Sequence, residues 1–158
     1  MSRVAEVSEA LTAAGLRLAL AESCTGGLVA ARLTDRPGAS RFLEAGLVTY
    51  SNAAKQSLLG VRSETLAAHG AVSEPVVREM LRGARERTGA DAAIAITGVA
   101  GPEGGTPEKP VGTVWIGAGV GPLERVRGYR FDGDRAGIRA ASADAALELL
   151  HELLAERS

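Results

Sequence analysis

Three short apolar runs constrain this chain more than anything else in it: RLALAE (17–22), AGLVTY (45–50) and DAAIAIT (91–97), each with small polar residues at or just past its end. Their length suits buried strands rather than helices. The segments between them carry helical spacing instead. Residues 4–14 place Val4, Val7, Leu11 and Ala14 on one face, and Gly15 supplies a stop. Thr25-Gly26-Gly27 opens a second helix through about Leu33. Ser51 or Asn52 can cap a short helix carrying Lys55, and Ser63 can cap another that Gly70 ends. Ser73 is a good cap for a long helix through Arg87, with Pro75 tolerated in its first turn.

Residues 98–112 (GVAGPEGGTPEKPVG) break this rhythm, with five glycines, three of the chain's six prolines and no hydrophobic period. A loop of that length inside a compact domain is usually functional or disordered. Residues 113–118 and 124–131 then read as a hairpin, and a last helix runs from about Asp134 to Glu156. The order α-β-α-β-α-α-α-β-loop-β-β-α predicts a three-layer α/β/α sandwich with a mixed, mostly parallel sheet. Residues 1–158 are expected to form one domain, a length that buries a sizeable core without staples.

A net charge of −1 gives no support for a nucleic-acid partner. No apolar run reaches the roughly 18 residues that span a bilayer. A single cysteine, Cys24, excludes an internal disulfide, which points to the cytoplasm. His69 and His151 stand isolated, so no metal is expected. Of 18 basic residues only Lys55 and Lys109 are lysines. In a chain that otherwise uses arginine, a retained lysine marks a place where the proton must be able to leave; chance retention accounts well enough for Lys109.

Small polar groups follow each apolar run: Ser23 with Cys24, Thr25, Gly26 and Gly27; Tyr50 with Lys55; Thr97 with Gly98. In a parallel sheet these would converge on the carboxyl rim, where α/β sites form. A hydroxyl, a lysine and backbone amides are what metal-free amide hydrolysis requires. The glycine turn at 25–27 could also hold an anion, either a phosphate or a developing oxyanion, and Arg135, at the start of the last helix, could clamp a phosphate or carboxylate. Spacing favours Ser23 as the nucleophile. A non-catalytic nucleotide-binding module, or an amidohydrolase of another substrate, would use the same groups.

The chain also resembles a known family. AESCTGG (21–27), PGAS (37–40), GLVTYSNAAK (46–55), GAVSEPVV (70–77), AITGVAGPEGG (95–105), KPVGTVWIG (109–117) and FDGDR (131–135) are similar, in order, to motifs of the CinA C-terminal domain family. The resemblance implies hydrolysis of nicotinamide mononucleotide to nicotinate mononucleotide and ammonia, in pyridine-nucleotide recycling. It implies no cofactor, no membrane or nucleic-acid partner, and a homodimer. Carried over, the site comprises Ser23, Ser40, Tyr50, Lys55, Thr97 and Arg135. The resemblance favours Ser40, in PGAS, as nucleophile with Lys55 as base, leaving Ser23 and Thr97 as substrate or oxyanion contacts.

Overall fold

The five strands lie in the order β2-β1-β3-β4-β5, with β1 Leu18–Glu22, β2 Leu43–Val48, β3 Ala92–Gly98, β4 Thr113–Val120 and β5 Leu123–Arg130. The computed structural model describes residues 1–157. β1 pairs in parallel with β2 and β3, whereas β4 runs antiparallel to both of its neighbours. The sheet is therefore mixed, with one strand reversed, and helices cover both faces.

β1 and β3 are buried on both faces, which explains their nearly continuous apolar sequence. Alternation still sorts their side chains by size. Leu18, Leu20, Ile94 and Ile96 face a layer built from α1 (Arg3–Ala14), α2 (Leu28–Thr34) and α6 (Arg135–Arg157). Ala19, Ala21, Ala93 and Ala95 face α5 (Glu74–Thr88) and α3 (Asn52–Leu59). The four alanines let α5 sit low on the sheet, where Val76, Val77, Met80 and Leu81 are fully buried. Burying each of these larger side chains stabilises the fold by roughly 1.5–3 kcal/mol.

The helix boundaries follow local chemistry. Ser51 is the cap of α3, its hydroxyl accepting from the Ala54 amide, and Ser73 caps α5 through the Val76 amide. Gly15, Gly60 and Gly89 end their helices in the left-handed conformation. The helix α4 (Ser63–His69) is capped by Arg62 rather than Ser63, which is its first residue. Gly119 belongs to β4, so the hairpin turns on Gly121 and Pro122 alone. A short 3-10 turn, Ala39–Arg41, precedes β2.

One close approach fixes the helix that carries Lys55. A Cβ at Gly83 of α5 would stand 1.8 Å from the Leu59 carbonyl oxygen at the end of α3. Only a bare backbone lets the two helices meet there.

Candidate active site

β1 ends at Glu22, and the next residue, Ser23, is almost fully buried at the carboxyl rim. The ladder continues past the strand ends: the Thr49 amide donates to Glu22, and the Ser23 amide donates to Ile96. Glu22 is level with Val48 and Ile96. One residue further along the same register, Thr49, Ser23 and Thr97 form a row of hydroxyls. By alternation they share the α5 face with Ala21 and Ala95.

Lys55, in the first turns of α3, reaches into this row and is 1% exposed. Its Nζ donates to Ser23 Oγ at 3.0 Å, to the Thr49 carbonyl at 2.9 Å and to the Tyr50 carbonyl at 3.1 Å. Among the described residues no carboxylate forms an ion pair with it. Burial, the larger influence, accordingly lowers its pKa from the usual lysine value. A neutral amine has two N–H groups and one lone pair. With the two carbonyls taking both N–H groups, the lone pair is left for the serine proton.

Other neighbours are more specialised. The Thr97 hydroxyl, also buried, donates to the Ala71 carbonyl at 3.0 Å. The Thr49 hydroxyl, fully buried, has no hydrogen-bond partner among the described residues. Burial pushes the Cys24 thiol up to about 11, so it stays protonated at neutral pH and is a poor nucleophile. A Cβ on Gly98 would stand 2.7 Å from Val114 Cγ2 and 3.1 Å from Cys24 Sγ, so β3 must pass this turn as bare backbone.

The glycine turn does not offer the phosphate site its sequence suggests. The Glu22 carboxylate, 1% exposed, folds back onto the start of α2. It accepts from the Thr25 hydroxyl at 2.7 Å and from the amides of Gly27, Val29 and Ala30 at 3.0–3.2 Å. The Gly26 amide donates to the Ser23 carbonyl. The positive end of α2 is thus neutralised by the chain's own acid, which removes Gly26, Gly27 and the Thr25 hydroxyl as phosphate ligands.

Arg135 sits at the rim, donating to the Tyr50 hydroxyl at 3.1 Å and the Gly101 carbonyl at 2.7 Å. It links the segment after β2 to the glycine-rich loop and remains exposed. Lys109, the other lysine, ties that loop to the His69 carbonyl at the end of α4.

Ser40 is elsewhere. It is exposed in the 3-10 turn before β2, and its carbonyl accepts from Arg17, which precedes β1. Arg17 to Ser23 spans the whole of β1, roughly 20 Å at about 3.3 Å per residue. Ser40 therefore lies at the amino rim, at the opposite pole from Lys55, and this lysine cannot deprotonate it within one chain. The physical reason is directional: in parallel strands the residues before a strand and those after it occupy opposite rims.

Three participants receive no role from the sequence. Glu22 had a signal, an acid closing an apolar strand just before a glycine turn. Thr49 had its place directly after β2. Arg139, whose guanidinium donates to the Cys24 and Thr25 carbonyls, had none, being one of 16 arginines.

Fold and site together define a class: a three-layer α/β/α domain with a buried serine–lysine pair at the carboxyl rim of a mixed sheet. Comparison with known proteins makes that assignment particular. Residues 2–154 match the family model described as CinA C-terminal domain, and the chain belongs to that family. It is 57% identical over 148 residues to a CinA-like protein of Syntrophotalea carbinolica, covering 94% of this chain and 36% of that one. It is 58% identical over 142 residues to a CinA-like protein of Anaeromyxobacter sp. (strain K), covering 89% and 34%. The chain thus spans about a third of the length of the curated relatives it matches. Among solved structures, competence damage-inducible protein A from Klebsiella pneumoniae superposes with a TM-score of 0.94 at 45% identity, covering 99% of this chain and 97% of that one. The competence/damage inducible protein from Agrobacterium tumefaciens gives 0.89 at 39% identity, covering 100% and 98%.

Proposed function

We propose that this chain is an amidohydrolase that converts nicotinamide mononucleotide to nicotinate mononucleotide and ammonia, with Ser23 as nucleophile and Lys55 as general base. The observation that carries the reading is the 3.0 Å contact between Lys55 Nζ and Ser23 Oγ, made by a fully buried lysine that forms no ion pair among the described residues. The carboxamide substrate itself comes from the family resemblance.

In the proposed cycle neutral Lys55 takes the Ser23 proton as Oγ bonds to the carboxamide carbon. The carbonyl π pair moves onto oxygen, and a nearby backbone amide stabilises that charge. As the pair returns, the C–N bond breaks, and protonated Lys55 gives its proton to the departing nitrogen, which leaves as ammonia. Lys55, neutral again, deprotonates a water that attacks the Ser23 ester, and Ser23 Oγ leaves carrying that proton. Each turn consumes one water and releases one nicotinate carboxylate. Tyr50 and Arg135 frame the mouth, where the guanidinium can exchange its carbonyl partner for a ribose phosphate. Thr97 and Gly98 border the reacting carbon.

The same reading takes residues 1–158 as one catalytic domain acting in the cytoplasm as a homodimer, with no metal or organic cofactor. No helix among the described residues is long and apolar enough to cross a membrane.

Incubation with nicotinamide mononucleotide tests the activity. Wild-type protein is expected to release ammonia and nicotinate mononucleotide in equal amounts; Ser23→Ala is expected to abolish release and Ser40→Ala to spare it. Binding without ammonia release would overturn the reading in favour of a nucleotide-binding module. Full activity in Ser23→Ala would reject this nucleophile.

A further inference from the structure

The turn that carries Ser23 is held from the side away from the serine. Arg139 belongs to α6, which packs on the sheet face shared by Leu20 and Ile96. Ser23 and Lys55 occupy the opposite face. From that far side the Arg139 guanidinium donates to the Cys24 carbonyl through Nε at 3.2 Å and to the Thr25 carbonyl through Nη2 at 2.8 Å.

In a trans peptide the carbonyl and the following N–H point in opposite directions. A Cys24 carbonyl held toward α6 therefore turns the Thr25 N–H toward the serine face. A Thr25 carbonyl held the same way turns the Gly26 N–H with it, and that amide is spent on the Ser23 carbonyl. The Thr25 N–H donates to no carbonyl among the described residues. Glu22 also anchors the Thr25 hydroxyl at 2.7 Å, a second restraint on the same residue.

We propose that Arg139 is a positioning residue: by gripping the Cys24 and Thr25 carbonyls it aims the Thr25 N–H at the oxygen that becomes negative when Ser23 attacks. The proposal rests on the Ser23 amidase reading above. A planar guanidinium spans two adjacent carbonyls, which a single ammonium does with poorer geometry. A prearranged donor gains most where charge develops in a site shielded from water.

The test compares full-length wild type with Arg139→Met and Arg139→Lys. Arg139→Met is expected to lower kcat by about 10²–10³-fold, the size of losing one oxyanion donor, with KM little changed. Arg139→Lys is expected to fall between the two, and added methylguanidine to restore part of the Arg139→Met rate. A second readout is the rate at which a fluorophosphonate labels Ser23, since its P=O oxygen also gains charge and no amide substrate is involved. That rate is expected to drop in Arg139→Met. Should wild type be labelled at Ser23 yet release no ammonia, the amidase reading falls and the labelling comparison alone decides Arg139. Equal labelling rates, unchanged kcat, or a wild type labelled nowhere at Ser23 overturn the proposal. If Arg139→Met does not fold, Arg139→Lys decides by the same two readouts.

Discussion

Lys55 and Ser23, 32 residues apart in sequence, meet at 3.0 Å, and among the described residues the lysine amine is otherwise held only by the carbonyls of Thr49 and Tyr50. Both carbonyls belong to the strand end and turn that launch α3, so the helix and its lysine are tied to the end of β2. Two protonation states fit this nest: an ammonium satisfies three acceptors, and a neutral amine satisfies two and accepts from the serine.

The first consequence concerns pH. The proposed base works only without its proton, so kcat/KM is expected to rise with pH through the Lys55 pKa, which burial sets below the usual lysine value of 10.5. Lys55→Arg keeps the charge but cannot give up a proton, and should lose about 10²–10⁴-fold in kcat, the usual share of general base catalysis. Steady-state rates across pH, with circular dichroism to confirm folding, check this; near-normal turnover in Lys55→Arg would remove Lys55 from the mechanism.

Stability should carry the same signature. A lysine whose folded pKa lies below its unfolded one costs stability most fully below the folded value. That cost disappears as pH rises toward the unfolded value near 10.5. Wild type should therefore gain stability relative to Lys55→Met between neutral pH and about pH 10. Urea unfolding of both proteins at several pH values measures the difference, and a flat one would contradict a depressed pKa.

Thr49 is a separate matter, because its hydroxyl is buried with no partner among the described residues. An unsatisfied buried polar group costs about 1–3 kcal/mol. Thr49→Val removes that group at similar volume and leaves the carbonyl that holds Lys55 in place. The variant is expected to unfold about 1 kcal/mol less readily in denaturant; a loss of stability would mean the hydroxyl is engaged in the folded protein.

Gly83 makes a stronger demand. With a hypothetical Cβ only 1.8 Å from the Leu59 carbonyl oxygen, Gly83→Ala must push α3 away from α5. Overpacking of this kind costs roughly 1–3 kcal/mol. Because α3 carries Lys55, activity should fall beyond what the fraction unfolded explains. Comparing kcat with the melting curve separates the two effects.

Much of the architecture is legible in the chain. RLALAE, AGLVTY and DAAIAIT declare buried strands because parallel strands covered on both faces need apolar residues throughout. Ser51, Ser73, Gly15 and Gly89 mark helix ends because capping is local chemistry. Lys55 stands out because arginine fills nearly every other basic position. Ser40 is favoured by the resemblance alone, and its place before β2 assigns it to the amino rim, away from Lys55. The phosphate reading of the 25–27 turn failed because the acid that fills the start of α2 is supplied from the end of the preceding strand.

By itself, the sequence determined the succession of strands and helices, the caps between them and the choice of a lysine at position 55, all of which depend on neighbours within a few residues. Tertiary structure alone decided that this lysine comes within 3.0 Å of Ser23 and that Arg139 grips the serine's turn from behind. Those relationships depend on strand register and on which face of the sheet each helix covers. Both are set by packing between segments far apart along the chain, and no local pattern encodes them.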